Sequence, residues 1–343
     1  MAFSRAALAT SYQITDLGAF PQNHYIIDSN DFGQLIAVSS DHTGFIWTPG
    51  QGISYLPVLE GYQSSVPQAI NNKGQIVGYS YSDPSNWRAC LWEEGKPVQD
   101  LGAFPSGEFT PGSYAYDINE SEQVVGSSIS AEGNGRPCLW SSSGGMEALT
   151  LPDQATWGGA IAINDDGLVV GKYGTRDYSR IFLWSRAHGM LDLTQYMPSA
   201  DRVVGINNSG SVLLVNVTTE GVPDAFVWNE ATGVHIIGSL PRTGYRYADP
   251  HDLNNLGQVV GKSSDQAFIW DDLNGTQPLP MPNSHWYVSA DTINDSGQIA
   301  GCFADSAGFH LILWTPTPEP SSLLAMLGGI SCVVGLWKRS RIR

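Results

Sequence analysis

Few residues of this chain are spaced for bond-making chemistry. Its seven histidines (His24, His42, His188, His235, His251, His285 and His310) form no His-x-His or His-Glu-x-x-His pair of the kind that holds a metal. No Gly-rich phosphate loop, nucleophile elbow or EF-hand loop occurs. No catalytic residue, metal ligand or cofactor is therefore assigned.

Two groups of side chains retain chemical promise. Asp28, Asp117 and Asp252 each stand two residues before an Asn (Asn30, Asn119, Asn254), so a shared geometry would gather them into an acidic ring able to hold a cation or a water cluster. The competing reading, which is favoured, has them bonding backbone groups at a strand end. Paired carboxylates also hydrolyse glycosidic bonds, but that chemistry needs a fixed separation that a sequence with 33 acids does not reveal. The second group is aromatic. Tyr114, Trp157, Tyr247 and Trp286, with Phe109, Tyr245 and Tyr287 nearby, fall in the longer connections and would stack on sugar faces.

One recurring stretch must position these side chains. It is cleanest at residues 70–78 (INNKGQIVG), closed by residues 89–92 (ACLW), and reads as strand, tight turn, strand, loop and a third strand ending in Trp. Asn opens the four-residue turn and Gly closes it, because Asn accepts from backbone donors and Gly tolerates the exit angle. The turn Asn occurs seven times, at Asn30, Asn71, Asn119, Asn164, Asn207, Asn254 and Asn294. The closing Trp also occurs seven times, at Trp47, Trp92, Trp140, Trp184, Trp228, Trp270 and Trp314, with successive separations of 45, 48, 44, 44, 42 and 44 by subtraction. A period of that length carrying about four short strands predicts a β-propeller of seven blades, an all-β fold.

The fourth strand of each blade follows the Trp, as in residues 97–102 (PVQDLG), 191–194 (LDLT) and 234–238 (VHIIG). One copy, residues 12–18 (YQITDLG), precedes the first repeat, and none follows Trp314. The N-terminal strand is thus predicted to complete the last blade and close the ring, leaving no open sheet edge. Small or acidic residues two before each Asn suit strands converging on an axis, and the Trp residues would fill the seams between blades, each worth roughly 1.5–3 kcal/mol on burial. Repeat three lacks the turn Gly (Glu122 stands there) and repeat five lacks the later Gly (Leu214), so those blades are expected to be the least regular. The turn frame also explains Asp165, Asp166 and Asp295 as turn formers rather than calcium ligands. Cys90 and Cys138 occupy a position where other copies carry Phe, and so read as core residues, with a disulfide between them as the alternative.

The formal charge of −16 understates the acidity of the body. Without residues 319–343, which hold four basic residues and one acid, 13 basic face 32 acidic groups, a net −19. Such a body repels nucleic acid and suits cations or neutral ligands. Residues 1–11 (MAFSRAALATS) read as the remnant of a signal peptide or a disordered end, and residues 315–322 as a linker. The tail then changes character. Pro318, Glu319, Pro320, Ser321 and Ser322 lead into 15 uncharged residues, 323–337 (LLAMLGGISCVVGLW), followed by the basic anchor Lys338, Arg339, Arg341 and Arg343 (residues 338–343). Fifteen helical residues reach about 22 Å, usable as a short transmembrane helix with snorkelling cations at its cytoplasmic end.

This tripartite tail resembles a PEP-CTERM sorting signal. The resemblance implies processing by an exosortase-type transpeptidase in a Gram-negative bacterium that makes extracellular polysaccharide, with the inner membrane as anchor before processing and the cell surface or exterior as destination. The repeats, roughly residues 12–314, resemble the HAF family of probable extracellular repeats, named for a His-Ala-Phe step before the Trp. Here the step survives as Asp224, Ala225 and Phe226, as Gln266, Ala267 and Phe268, and as Arg88, Ala89 and Cys90, without the His. Together they imply an exported propeller and imply no activity; the preferred expectation is a non-enzymatic module that binds polysaccharide or protein. A secreted polysaccharide hydrolase or lyase working through channel-mouth carboxylates is the alternative.

Overall fold

A computed structural model describes residues 11–19, 24–83, 86–105, 112–129, 133–217, 223–240, 247–282 and 287–317. Residues 1–10 of the leader segment, the Pro318–Ser322 motif, the apolar stretch 323–337, the basic anchor and Trp286 lie outside the described residues. Among the described residues no helix is long and apolar enough to cross a membrane.

The described strands form seven antiparallel four-stranded sheets, the blades of a propeller. Blade 1 runs His24–Ser29, Leu35–Ser39, Gly44–Thr48 and Gly52–Tyr55, from the axis outward, and blades 2 to 6 repeat that order. Blade 7 is composite. Its inner three strands are Tyr287–Ile293, Ile299–Asp305 and Gly308–Thr317, and its outermost strand is Ser11–Ala19 from the other end of the chain. Tyr12 pairs with Pro316, Ile14 with Trp314 and Asp16 with Ile312, so the N-terminal strand closes the ring as the repeat count requires. Two predicted boundaries move. Thr315, Pro316 and Thr317 continue the strand instead of opening a linker, and Ser11 joins it instead of ending the leader, because each supplies the other with a ladder partner.

The core lies in the seams. Trp140 packs with Ala69, Val77 and Ala89 of blade 2, and Trp314 with Val260, Ala267 and Ile269 of blade 6. Five of the seven closing Trp residues are buried, while Trp47 and Trp184 are half-buried in their seams. The indole N–H of Trp92 donates to Pro57 O and that of Trp314 to Pro280 O, both at 2.7 Å, so these rings also fix the connection leading into their own blade. Cys90 and Cys138 are buried free thiols, in the aromatic position as read.

Each inner strand carries a β-bulge three residues before its Asn, visible as a register shift between Ile26 and Asp28 in blade 1 and between Ala290 and Thr292 in blade 7. Just before the bulge the inner strand's backbone runs close to the second strand. A Cβ on Gly126 would meet Tyr114 O at 1.9 Å, and one on Gly301 would meet Ser289 O at 2.0 Å. That close approach suits the later Gly where it occurs, whereas blades 1 and 5 make the same bulge with Ala37 and Leu214 at this position.

The two blades expected to be irregular keep the repeat geometry. Glu122 takes φ 61°, beside 74–78° for the turn glycines of the other six repeats, and its turn still closes with Glu122 N donating to Asn119 O. Blade 5 pairs Leu214 with Val203 and Phe226 in the usual register. The turn is held by its Asn and by neighbouring blades, which overrides the preference of one residue.

Candidate functional site

The seven Asn residues do more than open turns. Each Oδ1 accepts the backbone N–H four residues on, as Asn71 does from Gln75 at 3.0 Å and Asn164 from Leu168 at 2.9 Å. Each Nδ2 donates across the seam to the carbonyl of the next Asn. Asn30 reaches Asn71 O (3.2 Å), Asn71 reaches Asn119 O (3.3 Å), and Asn119, Asn164, Asn207 and Asn254 each reach the next at 3.0 Å. Asn294 then donates to Asn30 O at 3.0 Å, which closes a circle around the axis. Only Asn supplies an acceptor to its own turn and a donor of the right reach to its neighbour.

A second circle lies one residue further on. The backbone N–H of Asp31 donates to Asn72 Oδ1, that of Asn72 to Glu120 Oε1, and that of Glu120 to Asp165 Oδ1, at 2.7–2.9 Å. Asp165, Asn208, Asn255 and Asp295 continue it, and Asp295 N returns to Asp31 Oδ1 at 2.8 Å. The turn carboxylates Asp165 and Asp295 are therefore seam clasps, a role that reading one turn at a time misses.

The minus-two aspartates form a partial third tier. Asp28 accepts from Ser29 N (2.7 Å) and, across the seam, from Ile70 N (2.9 Å). Asp117 does the same with Ile118 N and Ile163 N, and Asp252 with Leu253 N and Ile293 N. Thr292 Oγ1 donates to Asp252 Oδ2 at 2.9 Å and stands 2.9 Å from Ser29 Oγ. The backbone-bonding reading holds, and the bonds also join blades. All three carboxyls face a cavity of about 340 Å³ at the turn-side mouth of the channel. Burial raises Asp117 to about 7 against its two N–H donors. Burial and then the field of Asp252 push Asp28 well above the usual range, and burial raises Asp252 too. Among the described residues no group of three or more His, Cys, Asp or Glu is arranged to hold a metal ion.

His251, the bulge residue of blade 6, also lines this cavity. Its Nε2 lies 3.6 Å from Asp249 and its Nδ1 3.3 Å from Asp291 of blade 7. Burial opposes its charge, but the two carboxylates outweigh burial and raise it to about 9. Arg202 of blade 5 holds Asp249 from the other side at 2.5 Å, so one ionic chain ties three blades together.

The aromatics do not converge as a set. Tyr114 and Trp157 lie within inner strands, not in connections, because pairing extends to the first residues of those strands. Trp157 Nε1 donates to Thr175 O within its own blade, and Tyr247 Oη to Ser264 O within blade 6. Tyr114 alone anchors a cluster. It stacks on Tyr116 (5.8 Å, 6°), meets Tyr79 edge-on at 4.9 Å and lies 5.3 Å from Trp87, all half-buried. The buried indole N–H of Trp87 has no hydrogen-bond acceptor among the described residues.

No family model and no curated protein matches the chain. Solved structures do. A catalytically inactive virginiamycin B lyase from Staphylococcus aureus with quinupristin is 11% identical over 89% of this chain and 99% of its own, with a TM-score of 0.59. A streptogramin B lyase is 11% identical over 89% and 98%, with a TM-score of 0.57. A puromycin hydrolase in complex with PGG is 14% identical over 84% of this chain and 51% of its own, at 0.55. At such identities the likeness is one of fold.

Proposed function

We propose that the chain is a non-enzymatic, exported binding propeller. In this reading an exosortase-type transpeptidase sorts it through Pro318, Glu319, Pro320, Ser321 and Ser322, the basic anchor holds it in the inner membrane until processing, and the mature protein works at the cell surface or outside. Its ligand is extracellular polysaccharide or protein. The observation that carries the binding role is the cluster of Tyr79, Tyr114, Tyr116 and Trp87, where half-exposed rings from adjacent blades meet. Such surfaces stack on sugar rings and pack against aromatic side chains of protein partners. The sorting half of the proposal rests on the tail sequence.

Binding of the purified protein to a glycan array, compared with Tyr114→Ala and Trp87→Ala variants, tests the binding half. Loss of signal in both variants is expected, and equal signal in all three sinks the cluster as a platform. Intact mass of the protein from native cells tests sorting, with loss of everything after the Pro318–Ser322 segment expected.

The raised Asp117, buried and facing the channel cavity, favours hydrolysis or lysis of polysaccharide as a second reading. Reducing-sugar release lost in Asp117→Asn would support it.

A further inference from the structure

Charge is spread unevenly around the ring. The twelve lysines and arginines between residues 11 and 317 all fall in residues 73–262. Residues 11–60 and 287–317, which build blades 1 and 7, therefore hold eight acids and no lysine or arginine. The next cations are Lys338, Arg339, Arg341 and Arg343, after the uncharged stretch 323–337. That tail leaves from blade 7 on the face of the Asn turns. A Cβ on the turn glycine Gly297 would meet Pro316 Cγ at 3.7 Å, beside the end of the last strand at Thr317.

Two apolar grooves open on that face beside the exit. One, of about 310 Å³, lies in the seam between blades 7 and 1, walled by Phe32, Trp47, Pro49, Ile299 and Leu313. Leu313 is four residues before Thr317. Among the described residues this seam has the thinnest core of the seven, Ile26, Leu35, Ala300 and Leu311. Trp47 is left half-buried there, whereas Trp314 of the preceding seam is fully buried. The other groove, of about 650 Å³, lies between blades 1 and 2. Trp92, Ile46 and Ile76 make its floor, and Trp92 is fixed there by its bond to Pro57. Its two lysines, Lys73 and Lys96, are paired with Glu122 and Glu93 at 2.7 Å. Phe32 and Pro49 line both grooves and join them. Phe32 is 70% exposed, in a position where the other repeats carry Lys73, Ser121, Asp166, Ser209, Leu256 and Ser296. Its backbone N–H is held by Asn30 Oδ1, so the ring projects from a clasped turn.

We infer that these two grooves receive the chain's own segment 323–343 while it is outside a membrane. Leu323 is six residues beyond Thr317, a reach of about 20 Å extended, enough to turn back from the exit to Leu313. The fifteen uncharged residues reach about 22 Å even as a helix, which carries the apolar run from Trp47 across Phe32 toward Trp92. Burial there removes apolar surface of both partners from water. The acidic sector without lysine or arginine draws the four cations that follow. The contact rests on neither the Tyr114 platform nor processing of the tail, so it stands or falls independently of both.

The test is photocrosslinking of the full chain in lipid-free buffer, with benzophenone maleimide on Cys332 in a Cys302→Ser background. Cys90 and Cys138 are buried. Crosslinks to residues 29–57, 92–96 and 294–313 are expected, with a yield unchanged on dilution. Phe32→Ala should lower the yield about 2-fold, and Arg339→Glu with Arg341→Glu should lower it at least as far. Unchanged circular dichroism would show the variants folded. Crosslinks scattered over all seven blades, no crosslinks, or equal yields in wild type and both variants overturn the inference. Crosslinks between two chains that fade on dilution overturn the assignment to the chain's own tail.

Discussion

The channel and the groove between blades 1 and 2 are built from the same repeat and come out opposite. Around the channel, the Asn and the residue after it perform one task in all seven copies, and their polar groups are consumed in two closed circles. In the groove, the residues that matter are departures from the repeat. Phe32 replaces polar, charged or aliphatic residues at its turn position, and Gln51, Ser54 and Glu94 of the lining belong to neither circle. Sameness around the axis makes scaffold, because a closed ring satisfies every member through its neighbours. Difference at one seam leaves chemistry available for a ligand.

Breaking the circle should have the largest effect. Asn71→Ala removes a side chain that makes four hydrogen bonds, to Lys73 N, Gln75 N, Gln75 Oε1 and Asn119 O. Several buried partners are left unsatisfied, so urea unfolding should show a loss of about 3–5 kcal/mol. A loss under 1 kcal/mol would mean the ring is ornamental.

Next comes pH, which acts on the channel. The folded state holds the Asp117 proton up to about 7, whereas the unfolded chain releases it near 3.8. More protons are bound when folded, so this carboxyl lowers stability as pH rises through that window. His251, raised to about 9 from 6.5, contributes stability that is complete below 6.5 and lost as pH rises through 9. Both effects have the same sign, so the urea midpoint should fall from pH 5 to pH 10. His251→Gln should flatten the alkaline part and Asp117→Asn the acidic part. A midpoint that rises between pH 5 and 7 would contradict the sign.

A smaller effect is expected at the one turn without its Gly. Glu122 holds a left-handed φ of 61°, and Glu122→Gly should stabilise the protein by up to about 1 kcal/mol, reduced by loss of the exposed Lys73–Glu122 pair at 2.7 Å. Destabilisation beyond 1 kcal/mol would show that the pair outweighs the backbone strain. The smallest effect is in the groove, where Phe32→Ala should leave stability within about 0.5 kcal/mol of wild type. A larger loss would make Phe32 part of the scaffold and erase the contrast.

Much of the fold was legible in particular residues. Asn-x-x-Gly and the closing Trp gave seven blades, and the displaced strand at residues 12–18 gave the closure, because a surplus fourth strand at one end implied a missing one at the other. The candidate sites were less legible. Tyr114 was singled out, but its partners Tyr79 and Trp87 come from the adjacent blade, and Trp157 and Tyr247 turned out to bond within their own. The second circle left a signal that was overlooked: Asp, Asn or Glu follows the turn Asn in every copy.

The sequence by itself determined what is set between near neighbours, namely the hairpins, the turn type, the blade count and which aromatic fills a seam. Those follow from hydrogen bonds and packing within a few residues or one period, and repetition amplifies them. Only the tertiary structure decided the circles of hydrogen bonds, the ionic chain through His251 and the groove beside Phe32. The circles join residues 40–48 positions apart, and Asn294 to Asn30 across 264. Such partners meet only after the ring has closed, and closure is a property of the whole chain.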